Sequence, residues 1–430
     1  MKFLNLPYIL VAMVLASSSS SCTSNGNGVA AFSLPKQAHS SGSITSSTEL
    51  NLESLEQKTP DNKQTSFLLD TYGEKSRIYR RSVFSAADWI KSRRSNRFID
   101  TLLKTSQSAL VRQLGIEILF ISAVATAIVT YNNFFIEGWI DFKGIEHEAI
   151  HFNLPTLAAS PFIVSLPPLE LPKEPFTLTS SSLGLLLSFR TNVSYKRWNE
   201  ARTAWGKVIN DSRSIARMGA IWSKSYKDTI DDAALQRLGD AICSFSRALM
   251  NRTLPPQEDE TNFNIYTYQK VADQNYGQVL RSAKHRPTAA LAEISNILVD
   301  FQLNPLHQVE VERVVTGLCD ALGASERIFT SPVPTFYTRH TARFLAFWLL
   351  ALPMGLYQPM AGTWNHWGVV PVTMAISGFL LGIEELATQL EEPFSILPME
   401  KMCEGSIRTA VMEQVERSKA GIQSPYYGEM

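Results

Sequence analysis

The feature that most constrains this chain is an abrupt change of character at Phe189. Residues 176–189 carry no charged side chain, whereas residues 190–217 carry seven Lys or Arg against two acids. A helix of this composition leaves an apolar environment at one defined point and continues into a charged, aqueous one. A lipid bilayer with a basic, water-facing surface on one side is the simplest physical explanation. The sequence therefore predicts a membrane protein.

The composition predicts a large soluble part beside the membrane segments. The 430 residues are 45% hydrophobic and 19% charged, and 40 basic residues balance 40 acidic ones. A net charge near zero argues against nucleic acid as a partner. The four cysteines are far apart and lack metal-ligand spacing, so neither a disulfide framework nor a zinc site is predicted. No catalytic motif stands out, and we expect no enzyme, no metal and no cofactor.

Four segments are predicted to span a bilayer, near residues 114–135, 161–190, 344–364 and 366–388. Spanning needs about 20 mostly apolar residues, which the first, third and fourth supply. The second is uncharged only from residue 176 and follows a proline-rich stretch, so it is predicted to be a broken helix that begins near Pro161. Irregular backbone at membrane depth is tolerated only against protein or a water-filled cavity. This pattern favours a pore-lining position for the second span.

The distribution of charge orients these spans. Residues 75–112 carry ten basic groups and two acids, whereas the loop 136–174 carries six acids and two basic groups. The positive-inside rule then places the N-terminal flank, a helical soluble region 191–343 and the C-terminus on one side, with four crossings. Within the soluble region, Pro255-Pro256 and the acids that follow predict a surface loop over 251–277.

The N-terminus is typical of a targeting sequence. Residues 1–31 have the pattern of a secretory signal peptide, and residues 32–73 lack a sustained hydrophobic period. Residues 33–48 hold eight Ser or Thr and no acid. The junction Ala31-Phe32 followed by such a segment resembles the bipartite plastid presequence of diatoms and related algae. A secreted protein with a disordered Ser-rich linker is the alternative.

Three motifs occur in order along the chain. They are FRTN-x-SY-x-RW-x-EAR from residue 189, SPVPTFYTRH from residue 331, and GIEELATQLEEPF from residue 382. Together they resemble the bestrophin family of pentameric anion channels, in particular its plant, algal and bacterial branch, over about residues 85–405. The resemblance implies an all-α, four-span subunit of a homopentamer in a lipid bilayer. The predicted channel domain is 74–405, followed by a C-terminal tail, 406–430.

The resemblance also implies a pore lined by the second span. It places a hydrophobic neck at Ser181, Leu185 and Phe189, whose i, i+4, i+8 spacing puts them on one helix face. Apolar rings of this kind can gate by dewetting. From periodicity alone, ordinary helix packing is the better explanation of Leu185 and Phe189. The remaining predicted pore residues are Leu306 at a second constriction and the cations Arg190, Lys196 and Arg197, which attract anions near the neck exit.

One departure from the family pattern concerns calcium. Animal members follow the PF motif with a run of acids that forms a calcium clasp. Here residues 395–400 contain a single acid, and only Gln389, Glu392 and Glu400 remain at matching positions. Calcium needs six to eight oxygen ligands, usually several from carboxylates. The clasp is therefore predicted to be vestigial, and voltage dependence is expected instead of calcium gating.

The expected function is a chloride channel of a thylakoid membrane that balances charge across it. Passage of other small anions, in particular bicarbonate supplied to the lumen, is the alternative within the same class. A non-conducting membrane scaffold is the alternative from another class.

Overall fold

The computed structural model describes residues 77, 80–94, 99, 108–149 and 167–419. The predicted targeting residues Ala31 and Phe32 lie outside this part of the chain. Almost all described elements are helices. In chain order the α-helices are α1 Ala86–Ser92, α2 Ala109–Gln113, α3 Gly115–Asn132, α4 Glu174–Trp222, α5 Asp232–Thr253, α6 Pro256–Lys270, α7 Gln274–Ser282, α8 Arg286–Asp300, α9 Pro305–Thr330, α10 Thr335–Leu356, α11 Val369–Glu391, α12 Met399–Lys401 and α13 Thr409–Lys419. Two π-helical turns, Asn133–Glu137 and Met402–Arg408, extend α3 and precede α13.

Helix α4 is the longest element and determines the organisation of the chain. Its 49 residues span about 73 Å at 1.5 Å per residue. It passes the hydropathy change at Phe189 without a break. The predicted start near Pro161 lies outside the described residues; the described helix begins at Glu174 with Pro175 in its first turn. Proline is tolerated there, since the N–H group it lacks has no intrahelical acceptor at that position.

Two described segments are long and apolar enough to cross a membrane, Gly115–Glu137 and Trp364–Glu391. They match the first and fourth predicted spans. The predicted bounds of the third span, 344–364, are wrong. Its helix α10 already begins at Thr335, includes Arg339 and Arg343, and ends at Leu356. The predicted span began after Arg343 because only uncharged residues were counted toward it. The helix itself begins directly after Pro334.

A cluster of apolar side chains joins α3, α4, α10 and α11. Leu183 and Leu187 of α4 are 1% and 2% exposed and pack with Ile121 of α3. Three leucines of α10 complete the buried set, and side chains of α11 pack against it: Leu345, Leu349, Leu352, Ile376 and Leu380. The helices approach closely at Gly355, where a Cβ atom would lie 2.4 Å from the ring of Phe176.

A second, larger core lies in the part of the chain predicted to be soluble. The C-terminal half of α4 packs there with α5, α8, α9 and α13, around buried aromatic residues such as Trp205, Phe245 and Phe301. The predicted loop over 251–277 is wrong, because α6 and the start of α7 occupy most of it. Pro255 and Pro256 lie at the start of α6 and begin that helix. Residues 409–419, predicted as part of a tail, form α13.

The chain divides into two compact units. The described part of the smaller unit, 128–149 and 167–170, contains an antiparallel pair of short strands, β1 Trp139–Ile140 and β2 Glu146–His147. Within it, the Asn132 amide accepts a hydrogen bond from the Leu169 N–H (2.9 Å) and donates one to the Leu169 carbonyl (3.2 Å). The remaining described residues belong to the larger unit, which holds both cores.

Candidate pore-lining site

The apolar N-terminal part of α4 presents two different faces. Leu183 and Leu187 are buried in the apolar cluster, whereas Leu185 and Phe189 are 55% and 54% exposed. Ser181, one turn before Leu185, is exposed as well. The predicted neck residues therefore share an open stripe on the side of α4 that the subunit does not cover. Exposed Ser188 and Asn192 extend this stripe.

Arg190 follows the stripe but points away from it. The residue is 6% exposed, and its Nη1 lies 2.6 Å from Oε1 of Glu384 on α11. Nη1 also donates to the Thr338 carbonyl (3.0 Å), and Nη2 donates to Thr388 Oγ1 (3.1 Å). Arg190 thus fastens α4 to α10 and α11. The predicted role in attracting anions is corrected for Arg190, because its guanidinium group is enclosed by these partners.

Arg197 also joins helices. Its Nη1 and Nη2 donate hydrogen bonds of 2.7 Å to the carbonyls of Ser331 and Ile328, respectively, at the end of α9. Its Nε donates to the carbonyl of Glu391, the last residue of α11 (3.0 Å). A cation suits these helix C-termini, where carbonyls lack intrahelical donors. Arg197 therefore has a structural role, and because its partners are neutral carbonyls, its predicted role in attracting anions stays a prediction. Lys196 is exposed, as its predicted role requires.

The predicted second constriction lies on another element. Leu306 is in the first turn of α9, and its side chain is 81% exposed. The side chain of Asn304 caps this helix by accepting a hydrogen bond from the His307 N–H (2.9 Å). The single subunit does not bring Leu306 together with the neck residues, since Leu306 is at the start of α9 and the 26 residues of that helix separate it from α10.

The three residues at the predicted vestigial clasp have different surroundings. Gln389 is buried and donates a hydrogen bond of 2.6 Å to Glu385 Oε1. Glu392 forms an ion pair with Arg77, which also donates to Ser395 Oγ. Glu400 is exposed in α12. Across the described ranges, no group of three or more His, Cys, Asp or Glu side chains is arranged to hold a metal ion.

Sequence reasoning missed the two arginines that occupy this region. One is Arg77, and the second is Arg81, whose Nε donates a hydrogen bond of 2.8 Å to the Ser395 carbonyl. These contacts bring the segment before α1 to the loop that follows α11. The basic excess of residues 75–112 was visible in the sequence, but it was explained by membrane orientation alone.

The fold and the open stripe define a helical membrane protein whose longest helix carries both a packed face and an unpacked apolar one. The family model described as Bacterial/Fungal Bestrophin protein matches residues 88–413. The chain belongs to the bestrophin family.

Curated relatives and solved structures agree with this assignment. The chain is 28% identical over 337 residues to Voltage-dependent chloride channel 2, chloroplastic, of Arabidopsis thaliana, covering 78% of this chain and 73% of that protein. It is also 28% identical over 352 residues to Voltage-dependent chloride channel 1, chloroplastic, of the same plant, with coverages of 81% and 77%. A crystal structure of a bacterial Bestrophin homolog from Klebsiella pneumoniae superposes with a TM-score of 0.54 at 20% identity, covering 70% of this chain and 98% of that one. This last likeness supports the fold.

Proposed function

We propose that the chain is one subunit of a homopentameric, anion-selective channel. The observation that carries the proposal is the open stripe of α4, where Leu185 and Phe189 remain more than half exposed beside fully packed Leu183 and Leu187. A fivefold arrangement of α4 encloses this stripe and turns each position into a ring. The N-terminal part of α4 and α10 then supply the second and third of four spans.

The physical action of such a neck follows from its side chains. Rings of Leu185 and Phe189 form an apolar constriction that conducts only when it is wetted. The edge of each Phe189 ring carries partial positive charge and favours an anion over a cation. Ser181 makes the neck wetter at its level. The exposed ammonium group of Lys196 lies about two turns beyond Phe189 and raises the local anion concentration.

Chloride is the proposed ion and voltage the proposed stimulus. Two Arabidopsis thaliana relatives are named voltage-dependent chloride channels and chloroplastic. Together with the plastid-type pattern of residues 1–73, these names support a thylakoid membrane as the location. The proposed role there is charge compensation, in which anion flux dissipates the electrical part of a proton-motive force.

The decisive experiment is recording from the purified protein in planar bilayers under asymmetric chloride. Unitary currents that reverse near the chloride equilibrium potential are the expected result. Bicarbonate replacing chloride in one chamber shifts this reversal potential according to the permeability ratio, and a preference for bicarbonate would change the proposed ion. Silence in bilayers, with intact pentamers by native mass spectrometry, would favour a scaffold over a channel. A monomer would contradict the assembly itself.

The location is tested separately through Phe32. This bulky aromatic lies among small and polar residues, so recognition during import is its expected role. A fluorescent protein fused to residues 1–60 should reach the plastid of a diatom, whereas the Phe32→Ala fusion should enter the secretory route and stop outside the stroma. Unchanged delivery of the variant would remove Phe32 from the import signal. Secretion of the unaltered fusion would contradict the plastid location.

A further inference from the structure

Helix α3 carries its single charged side chain on an exposed apolar surface. Glu117 is exposed and lies beside Ile116, Leu119 and Phe120, whose side chains are 60–79% exposed. Among the described residues, the Glu117 carboxylate has no hydrogen bond and no ion pair. A carboxylate among apolar side chains of a membrane span is costly without a partner, so its presence marks a contact that the single subunit does not contain.

Helix α10 carries cations in a similar setting. Arg343 is exposed, and no described residue pairs with its guanidinium group. Phe336 and Phe347, seven residues before it and four after it, are 78% and 37% exposed and lie on the same side of the helix. Arg339 is exposed on this stripe as well. The exposed faces of α3 and α10 therefore carry opposite charges among large apolar side chains.

Contacts between helices define a common level for α3, α10 and α11. Arg190 of α4 donates a hydrogen bond of 3.0 Å to the Thr338 carbonyl of α10, and the same nitrogen lies 2.6 Å from Oε1 of Glu384 on α11. Gln113, just before α3, donates a hydrogen bond of 2.6 Å to Oε1 of Glu385. Gln113, Thr338 and Glu384 therefore lie at nearly the same height along the bundle.

Glu117 and Arg343 lie at nearly the same depth beyond this level. From it, α3 and α10 both run toward the apolar cluster that they share with α4 and α11. At 1.5 Å per residue, Glu117 lies about 6 Å beyond Gln113, and Arg343 lies about 7.5 Å beyond Thr338. Arg339 lies only about 1.5 Å beyond Thr338, so Arg343 is the cation that matches the depth of Glu117.

We propose that Glu117 of one subunit forms an ion pair with Arg343 of the neighbouring subunit, so that α3 of each copy docks on α10 of the next. The inference rests on the proposed pentamer and names a contact that closes it. Because the two residues lie on different helices of one chain, their contact is heterologous, the kind that closes subunits into a ring. Exposed Phe120 and Phe347 flank the pair and exclude water from it, which strengthens the attraction between the charges.

Charge favours a second copy of the chain over lipid as the partner of these side chains. An acyl chain offers a counter-charge to neither of them, whereas every subunit presents both an unpaired acid and an unpaired base at one depth. Charged residues within membrane spans pair with one another and face the interior of an assembly. One pair at each of five interfaces uses every copy of Glu117 and Arg343.

The experiment cross-links the two positions through a disulfide in the full chain. Glu117→Cys and Arg343→Cys are combined in a background with Cys22→Ser and Cys319→Ser, because Cys243 and Cys403 are buried. Disulfides form only between cysteines whose Cα atoms lie within about 7 Å of each other. After mild oxidation, denaturing electrophoresis without reductant should show a ladder of covalent oligomers that ends at the pentamer. Either single-cysteine variant should remain monomeric on the same gel.

The matched control combines Glu117→Cys with Phe336→Cys. Phe336 shares the exposed stripe of α10 with Arg343, but it lies seven residues, or about 10 Å, nearer the start of the helix. This combination should give no ladder, which separates a fixed contact from random collision.

Exchange of the two charges tests the ion pair itself and does not depend on the folding of the cysteine variants. Glu117→Arg and Arg343→Glu each place like charges opposite one another, so each should lose most of the pentamer in native mass spectrometry. The double variant restores opposite charges and should recover the pentamer.

The results separate this contact from the proposed channel. Pentamers of the unaltered chain without a cross-link between positions 117 and 343 would overturn the contact, leave lipid around both side chains and keep the channel standing. A disulfide formed without any ladder would place the pair within one subunit and overturn the contact as well. A double charge variant that forms no more pentamer than the single variants would show that the two charges do not meet. Monomers of the unaltered chain would overturn both the contact and the pentamer.

Discussion

Leu185 and Phe189 differ from Leu183 and Leu187 only in the side of α4 on which they lie. The second pair fills the cluster with α3 and α10, and the first pair remains exposed. Similar residue types within about two helical turns thus have separate roles, one in packing and one in the proposed neck. Arg190 connects the two, because it follows Phe189 in the chain and anchors the packed face of α4 to Glu384.

The first prediction concerns the apolar rings. Leu185→Ala and Phe189→Ala should each widen the neck and lower the barrier to wetting, so currents in planar bilayers should become larger or less sensitive to voltage. Ile116→Ala is the control, since Ile116 is a 79% exposed residue at the start of α3. If both neck variants conduct like the wild type while pentamers persist, the neck lies elsewhere.

The second prediction concerns the buried ion pair. Glu384→Gln leaves the Arg190 guanidinium buried without a carboxylate, which should lower the free energy of unfolding by about 3 kcal/mol. Thermal unfolding of the detergent-solubilised protein measures the loss. Glu391→Gln on the same helix is the control, because among the described residues the Glu391 carboxylate forms no ion pair. Equal stability of the two variants would show that the pair contributes little.

At the scale of elements, α4 joins two cores of different character. Its first half packs with the apolar cluster of α3, α10 and α11, and its second half completes the larger core with α5, α8 and α9. Buried polar groups in that larger core are mostly paired, as in the bidentate contact of Arg247 with Asp259 (2.6 and 2.8 Å). The buried carboxyl group of Asp240 in α5 is less well stabilised in its ionised form. Burial raises its pKa, although the Ala272 N–H donates a hydrogen bond of 3.2 Å to it.

The third prediction follows from the sign of this shift. A raised pKa in the folded state means that ionised Asp240 destabilises the fold above that pKa and ceases to do so as the pH falls. Asp240→Asn should therefore gain stability relative to the wild type as the pH rises from about 4 to about 8. Thermal unfolding across this range measures the difference. Asp228→Asn, in an exposed turn, should show no comparable trend, and a flat profile for Asp240→Asn would contradict the expected penalty.

At the scale of the whole molecule, distant parts of the sequence meet at the end of α11. Arg77 pairs with Glu392, and Arg81 and Ser395 add a second contact across more than 300 residues of chain. A guanidinium group thus balances the carboxylate of Glu392, the residue predicted to match the calcium clasp of animal members.

The fourth prediction is that calcium does not gate the channel. Because Arg77 already neutralises Glu392 and residues 395–400 offer one acid, chelating calcium should leave the open probability almost unchanged. Single-channel recording before and after chelation, at constant voltage, measures it. A silent channel switched on by micromolar calcium would mean that other oxygen atoms complete a binding site.

The sequence by itself determined the elements whose signal is local: the helical class, the sharp boundary after Phe189, two apolar spans and three ordered motifs. Periodicity could place Leu185 and Phe189 on one face of α4, but it could not tell an open face from a packed one. That distinction depends on which helices cover α4, as do the burial of Arg190 against Glu384 and the docking of Arg77 on Glu392. Proline misled the prediction at α6, because the residue that breaks a helix interior is also favoured in the first turn of a helix. Only the tertiary structure decided these points, since they rest on contacts between residues far apart in the chain.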